Sequence, residues 1–227
     1  MGTERVNAGV VSVQLAALLP AGVAVEAGIP GVDGGAALPE EEAAIAAAVP
    51  ARRAEFLLGR ALARAALRRI GVDAGAIPAG ADRAPKWPAG IVGSISHTRA
   101  LCAVAVARRG ELVSLGLDLE QDTALEPELW RRILTPSEQG WIRRAASAEQ
   151  GALAKLVFSA KEAFYKCQHP LTGRFLDFLD VELELDLTAR RYVARTDRVA
   201  LPATARFEGR WAAAMGHFAS VAYLTGR

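Results

Sequence analysis

The chain has 227 residues, 52% of them hydrophobic and 23% charged, which is the balance of a folded globular protein and excludes a disordered one. Twenty-seven Lys plus Arg against 25 Asp plus Glu leave a net charge of +2, too small an excess to mark a nucleic-acid binder. Two cysteines, Cys102 and Cys167, give neither metal-ligand spacing nor a disulfide framework and suit a reducing cytosol.

In chain order, residues 1–7 carry Glu4 beside Arg5, a poor basic start for a signal peptide. The apolar stretch Val10–Val25 is broken by Ser12, Gln14, Pro20 and Gly22, short of the ~20 apolar residues a membrane span needs. A soluble, intracellular protein is expected. Residues 18–26 read as a turn and a short strand, and Gly28–Gly35 as a loop. Pro39-Glu40-Glu41-Glu42 opens a helix, with proline in the first turn and acids at the positive end of the dipole. Pro50 ends or bends that helix. Ala51–Ile70 is the strongest helix of the first half, closed by Gly71. Val72–Gly93, with Pro78, Pro85 and Pro88, reads as loop.

Strand character returns at Leu101–Ala107 and Leu112–Glu120. Thr135-Pro136-Ser137-Glu138 is a capping box at a helix start. A further helix covers about Ala152–Cys167, and after Pro170 short strands follow at Val181–Leu187, Tyr192–Ala194, Thr204–Phe207, Trp211–Ala214 and Phe218–Leu224. The order repeats: strand, proline-led helix start, long helix, strand. Phe56–Arg60 lies about a hundred residues ahead of the similar Phe158–Glu162. This predicts an α+β fold of two similar halves related by pseudo-two-fold symmetry, residues 1–110 and 111–227, around a shared cleft.

Three segments carry chemistry. In Leu115-Gly116-Leu117-Asp118-Leu119-Glu120, strand alternation sends the leucines to a core and both acids to the other face, beside a glycine that admits a ligand to the backbone. In Phe158-Ser159-Ala160-Lys161-Glu162-Ala163-Phe164-Tyr165-Lys166, helical spacing makes Lys155, Ser159, Glu162 and Lys166 one polar stripe. If Glu162 meets Asp118 and Glu120, like charges ~4 Å apart repel by about 4 kcal/mol at a dielectric of 20, so a cation or protons must gather with them. Oxygen ligands without nearby His or Cys favour Mg²⁺, with Mn²⁺ the alternative, and suit phosphoryl-type transfer. The third segment, Lys86-Trp87-Pro88 and then Gly93-Ser94-Ile95-Ser96-His97-Thr98, is read as a loop offering N–H groups, hydroxyls and an imidazole to phosphates. Arg53, Arg60 and Arg64 fall on one helix stripe, and arginine forks match phosphate oxygens.

In this order and spacing, these motifs resemble those of the 4′-phosphopantetheinyl transferases, in particular the large monomeric class similar to the surfactin-synthetase and enterobactin-synthetase activating enzymes. The resemblance covers about residues 18–170. It implies that fold, and transfer of the phosphopantetheine arm of coenzyme A to a serine of an apo acyl or peptidyl carrier protein, releasing 3′,5′-ADP. It further implies Asp118, Glu120 and Glu162 on Mg²⁺, Glu162 as acceptor of the serine proton directly or through water, and Lys166 on the transferred or the departing phosphate, with Lys161 assisting. Ser96, His97 and Thr98 would line the nucleotide end, with Arg53, Arg60 and Lys86 on its phosphates. Arg131, Arg132, Arg143 and Arg144 would face an acidic carrier, with Leu134 or Trp141 as apolar anchors. A coenzyme A-binding module without turnover and a metal-dependent phosphohydrolase are the competing expectations. A cytoplasmic monomer is implied, with no nucleic-acid or membrane partner.

Overall fold

A computed structural model describes residues 7–202 and 204–226; the Glu4–Arg5 start lies outside them. Asn7 caps a first helix, α1 (Ala8–Leu18), its side-chain oxygen accepting from Val10 N at 3.2 Å. The sequence reading has no helix there, because the segment is apolar on nearly every side and shows no 3.6-residue alternation. Val11 and Leu15, one turn apart, are the residues it buries.

Two antiparallel sheets follow. β1 (Ala24–Gly28), β2 (Ile91–His97) and β3 (Cys102–Arg108) form one in the order β1-β3-β2. β4 (Ser114–Gln121), β5 (Glu182–Asp186), β6 (Arg191–Arg195), β7 (Ala205–Ala214) and β8 (His217–Gly226) form the other in the order β4-β8-β7-β6-β5. After the short α2 (Pro39–Glu42), helix α3 (Pro50–Arg69) packs on β1 and β3. After α4 (Pro127–Ile133) and α5 (Pro136–Ile142), helix α6 (Ser147–Thr172) packs on β4 and β8. In each half the first strand pairs with the strand that closes the half, and the long helix covers that pair. The fold is α+β, with the repeated order read from the sequence.

Local differences have physical reasons. Ile91–His97 is a strand rather than a loop: flanking prolines and glycines masked a segment whose small serines do structural work. Ser94 and Ser96, two residues apart on one face of edge strand β2, accept from Leu117 N at 2.9 Å and Leu119 N at 3.1 Å on edge strand β4. Hydroxyls thus stitch two sheet edges that make no ladder with each other, leaving neither edge exposed. α4, absent from the sequence reading, starts at Pro127. α6 runs through Pro170 to a left-handed Gly173 at φ 64°, since a proline in the last turn costs only one N–H donor. β7 is one strand and not two, because Gly209 is where the Tyr192 ring lies against it; a Cβ there would sit 2.5 Å from the ring.

One apolar cluster belongs to both sheets: Val11, Leu15, Val25, Leu101 and Ala103 meet Leu115, Leu117, Leu119, Val221 and Tyr223. Among the described residues no helix is long and apolar enough to cross a membrane.

Candidate active site

β4 turns its Leu115, Leu117 and Leu119 into the shared core and its Ser114, Gly116 and Asp118 toward α6. A Cβ at Gly116 would lie 2.0 Å from Ala163 O and 2.6 Å from Cys167 N. The glycine therefore admits a helix, not a ligand as the sequence reading has it. Ser114 Oγ donates to Cys167 O at 2.6 Å on the same face. Both faces of β4 are covered, so its polar alternation marks a buried seam rather than a solvent side.

That seam gathers the acids. Asp118 is 4% exposed, and its Oδ1 accepts from Lys166 Nζ at 2.7 Å and from Ser96 Oγ at 3.1 Å. Its Oδ2 is buried without a hydrogen-bond partner. Lys155 Nζ donates to Glu120 Oε2 at 3.3 Å. Burial pushes the carboxyls of both Glu120 and Glu162 above the usual carboxylate range; Asp118 pushes each further, Lys155 opposes on Glu120 and Lys166 on Glu162. Asp118 thus disfavours the charged form of both glutamates, and the two lysines favour it.

Among the described residues no group of three His, Cys, Asp or Glu side chains is arranged so that it could hold a metal ion as it stands. Two of the acids have an oxygen engaged by a lysine. The donor set nevertheless fits Mg²⁺: carboxylates alone, one buried carboxylate oxygen with no partner, and mutual repulsion that a dication relieves.

A cleft of about 660 Å³ lies between α2, α3, β2 and the loop before β2. Arg60, on its α3 wall, is 5% exposed, with its guanidinium 4.2 Å from the Phe56 ring centroid and its Nε unpartnered. Burial lowers its pKa to about 10, with Glu41 opposing, so the side chain stays charged at neutral pH. His97 Nδ1 is 3.3 Å from Glu55 Oε2, and Nε2 contacts Arg52 Nη1. Arginine only donates, so Nε2 accepts and the ring proton sits on Nδ1. Burial holds the imidazole pKa down, Glu55 opposing. His97 is thus a neutral hydrogen-bonding group, and Arg52, Arg60 and Arg83 bring the positive charge to the cleft.

Of the arginine stripe, only Arg60 lines this cleft. Arg53 pairs with Glu42 at 3.0 Å and Arg64 with Glu41 at 2.7 Å, both toward α2. Arg52, missed in the sequence, takes the place given to Arg53. The signal was there: Arg52, Glu55, Phe56 and Arg60 sit at i, i+3, i+4 and i+8 on one helix face. Arg83 left no such signal; it sits in a tight turn at φ 66°.

A second cleft, about 770 Å³, shares Gly80, Arg83, Pro85 and Ile95 with the first and runs on to Lys86, Trp87, Glu162 and Lys166. It joins the arginine end to the acid end. Beside Glu162 a third hollow of about 180 Å³ is walled by Phe164, Tyr165, Phe175, Leu176 and Phe178.

Four sequence assignments are corrected. Lys161, 3% exposed, lines neither cleft and forms part of the wall of the third hollow, with its Nζ taken up by Glu138 Oε2 at 2.7 Å and by Ile133 O and Phe178 O. Thr98 spends its hydroxyl on Ala100 N, Leu101 N and His217 Nε2 and lines neither cleft; Ser96 belongs to the acid end and not to the arginine end. Leu134 is fully buried and offers no surface anchor.

Arginines that suit phosphates line one cleft, and the adjoining one carries Glu162 beside Lys166 with Asp118 behind it, acids that plain phosphate binding does not require. The model of the 4′-phosphopantetheinyl transferase N-terminal domain matches residues 40–107, and that of the 4′-phosphopantetheinyl transferase superfamily matches residues 114–216. The chain is 40% identical over 183 residues to the 4′-phosphopantetheinyl transferase Svp of Streptomyces mobaraensis, covering 78% of this chain and 74% of that one. It is 36% identical over 189 residues to PptT of Mycobacterium tuberculosis, covering 79% and 82%. A solved holo-(acyl-carrier-protein) synthase of Bacillus anthracis aligns at a TM-score of 0.41 and 20% identity, over 52% of this chain and 99% of that one. The chain belongs to the 4′-phosphopantetheinyl transferase family and is a transferase of its larger class.

Proposed function

We propose that the protein moves the 4′-phosphopantetheine arm of coenzyme A onto a serine of an apo acyl or peptidyl carrier protein and releases 3′,5′-ADP. The observation that carries this reading is a pair of adjoining clefts, one lined by Arg52, Arg60 and Arg83 and the other by Glu162 and by Lys166, whose Nζ donates to buried Asp118. Coenzyme A has a 3′-phosphate at one end of its nucleotide and a diphosphate at the other, and needs cations at both. Arg52, Arg60 and Arg83, with neutral His97 and with Lys86 in the adjoining cleft, suit the 3′-phosphate end. Asp118, Glu120 and Glu162 would hold Mg²⁺, with Mn²⁺ as a substitute; the ion supplies charge neutralisation at the diphosphate.

Lys166, released from Asp118, neutralises the phosphate that is transferred. Glu162 takes the proton from the carrier serine as its oxygen bonds to the pantetheine-bearing phosphorus. The bond to the bridging oxygen breaks, and 3′,5′-ADP leaves with the electron pair. The aromatic hollow beside Glu162 suits the pantetheine arm. Arg131, Arg132, Arg143 and Arg144 are exposed and suit an acidic carrier, with half-exposed Trp141 and Leu129 in place of Leu134 as anchors. The two halves in one chain suit a monomer, and the two buried free cysteines suit the cytoplasm.

The test is incubation with coenzyme A, Mg²⁺ and an apo carrier, read by the carrier's mass. Gain of the phosphopantetheine mass is expected; coenzyme A cleavage without labelling would mean a hydrolase, and binding without either a non-catalytic module. Asp118→Asn and Glu162→Gln should each lower kcat by about 10²-fold or more while the protein stays folded.

A further inference from the structure

Glu41 is fully buried, yet it belongs neither to the acid cluster nor to the residues that line the arginine cleft. Both carboxylate oxygens are used. Oε1 accepts from Arg64 Nη1 at 2.7 Å and from Ile77 N at 2.9 Å; Oε2 accepts from Leu38 N at 3.0 Å. These partners lie on different parts of the chain. Leu38 N leads into α2, Arg64 lies on α3, and Ile77, itself fully buried, begins the loop that reaches β2.

The same three pieces are three of the four walls of the arginine cleft. Glu40 and Ile45 stand on the α2 side, Arg52 and Arg60 on α3, and Gly80 and Arg83 on the loop. The loop just beyond Ile77 closes on itself, with Lys86 N donating to Pro78 O at 2.9 Å and Gly80 N to Ala84 O at 2.8 Å. It behaves as one small unit whose root is pinned at Ile77. Arg64 adds a contact from Nη2 to Ala36 O at 3.3 Å, drawing the chain before α2 to the same point.

We infer that Glu41 is a positioning residue for the nucleotide: one carboxylate fixes α2, α3 and the loop at 77–87 relative to one another, and so sets the spacing of Arg52, Arg60 and Arg83. This rests on the reading of that cleft as the 3′-phosphate end of the coenzyme A site. A carboxylate is the group the place requires. Three donors converge on it, and a glutamine would turn an NH₂ toward at least one of them, leaving a buried N–H facing a donor. Its negative charge also favours the charged form of buried Arg60.

The test compares Glu41→Gln with wild type in the coenzyme A-dependent labelling of an apo carrier. The KM for coenzyme A should rise about tenfold, with the KM for the carrier and kcat within about twofold, because the acid end is untouched. Binding of 3′,5′-ADP alone, by calorimetry, should weaken by the same factor. Amide exchange should quicken at 77–87 and stay unchanged in β4 and α6. Arg64→Lys, which keeps the charge and loosens one contact, should move each readout less in the same direction, and it stands in if Glu41→Gln does not fold. Equal KM values for coenzyme A in variant and wild type, or both KM values rising together as the protein destabilises, would reject Glu41 as a positioning residue. A wild type that labels carriers while the variant shows no shift defeats the inference alone. A wild type that neither binds 3′,5′-ADP nor uses coenzyme A defeats the cleft reading and the inference with it.

Discussion

Lys161 and Lys166 are five residues apart on one helix and do unrelated work. Lys166 reaches Asp118 across the cleft, whereas Lys161 is enclosed with Glu138, whose Oε1 also accepts from Leu183 N at 2.8 Å and whose Oε2 accepts from Thr135 N at 2.7 Å. Burial lowers the Lys161 pKa and raises that of Glu138, and each partner opposes the shift of the other. Removing one member of such a pair strands the other charge, at a cost of about 3–5 kcal/mol, while replacing both with apolar groups is often neutral. Lys161→Met should therefore lower the urea midpoint strongly yet leave kcat per folded molecule within a few-fold. Adding Glu138→Leu should recover most of the lost stability. If Lys161→Met instead loses rate at full stability, the lysine acts on substrate after all. The sequence separates the two lysines by helical angle, but it names no partner for Lys161, because Glu138 is already spoken for by its own capping box.

Between β4 and α6, what the sequence offers and what it hides can be told apart. The acid pair at Asp118 and Glu120 and the stripe Lys155, Glu162, Lys166 follow from periods of 2 and 3.6 residues, and Lys166–Asp118 and Lys155–Glu120 contacts duly form between the two elements. Their separation does not follow, since it depends on what fills the space at Gly116. The same limit explains β2: its serines look like loop residues until a second sheet edge is placed against them. It explains Arg52 over Arg53 as well, because choosing between neighbours on α3 requires knowing that α2 covers one side. Gly116→Ala tests how tightly the two elements are set. A Cβ 2.0 Å from Ala163 O cannot be tolerated, so α6 must withdraw, at a cost of about 1–3 kcal/mol. Withdrawal also carries Glu162 and Lys166 away from Asp118, so activity per folded molecule should fall by about 10²-fold. Gly140→Ala, on the exposed face of α5 with nothing within 4 Å of the new methyl, is the control and should be neutral or slightly stabilising. A Gly116→Ala enzyme of normal activity would mean that the spacing of helix and strand is not what aligns the site.

At the scale of the whole molecule, a repeated topology does not make two independent folding units. The strand–helix–strand order repeats, but the leucine face of β4 has its apolar partners in α1, β1 and β3 as well as in β8. Leu117 N and Leu119 N have their acceptors on β2, in the other sheet. Separating residues 1–110 from 111–227 would bare Leu101, Ala103, Leu115, Leu117 and Leu119, all now 1% exposed or less, and would strand two buried N–H groups, each costing about 1–3 kcal/mol. Each half keeps a helix-on-sheet cluster of its own but loses the shared one on the other face of its sheet, which leaves less buried area to offset the entropy of ordering its chain. Urea unfolding should accordingly be a single transition, with far-UV dichroism, which follows helices α3 and α6, coinciding with the fluorescence of Trp87 in one half and Trp130, Trp141 and Trp211 in the other. A fragment of residues 1–110 should show no cooperative transition by itself. Two resolved transitions, or a fragment that melts sharply, would mean the serine seam and the shared leucines contribute little. The clefts would then lie between two loosely joined bodies rather than within one, and Lys166 of α6 could not be held within reach of Ser96 on β2 by packing alone.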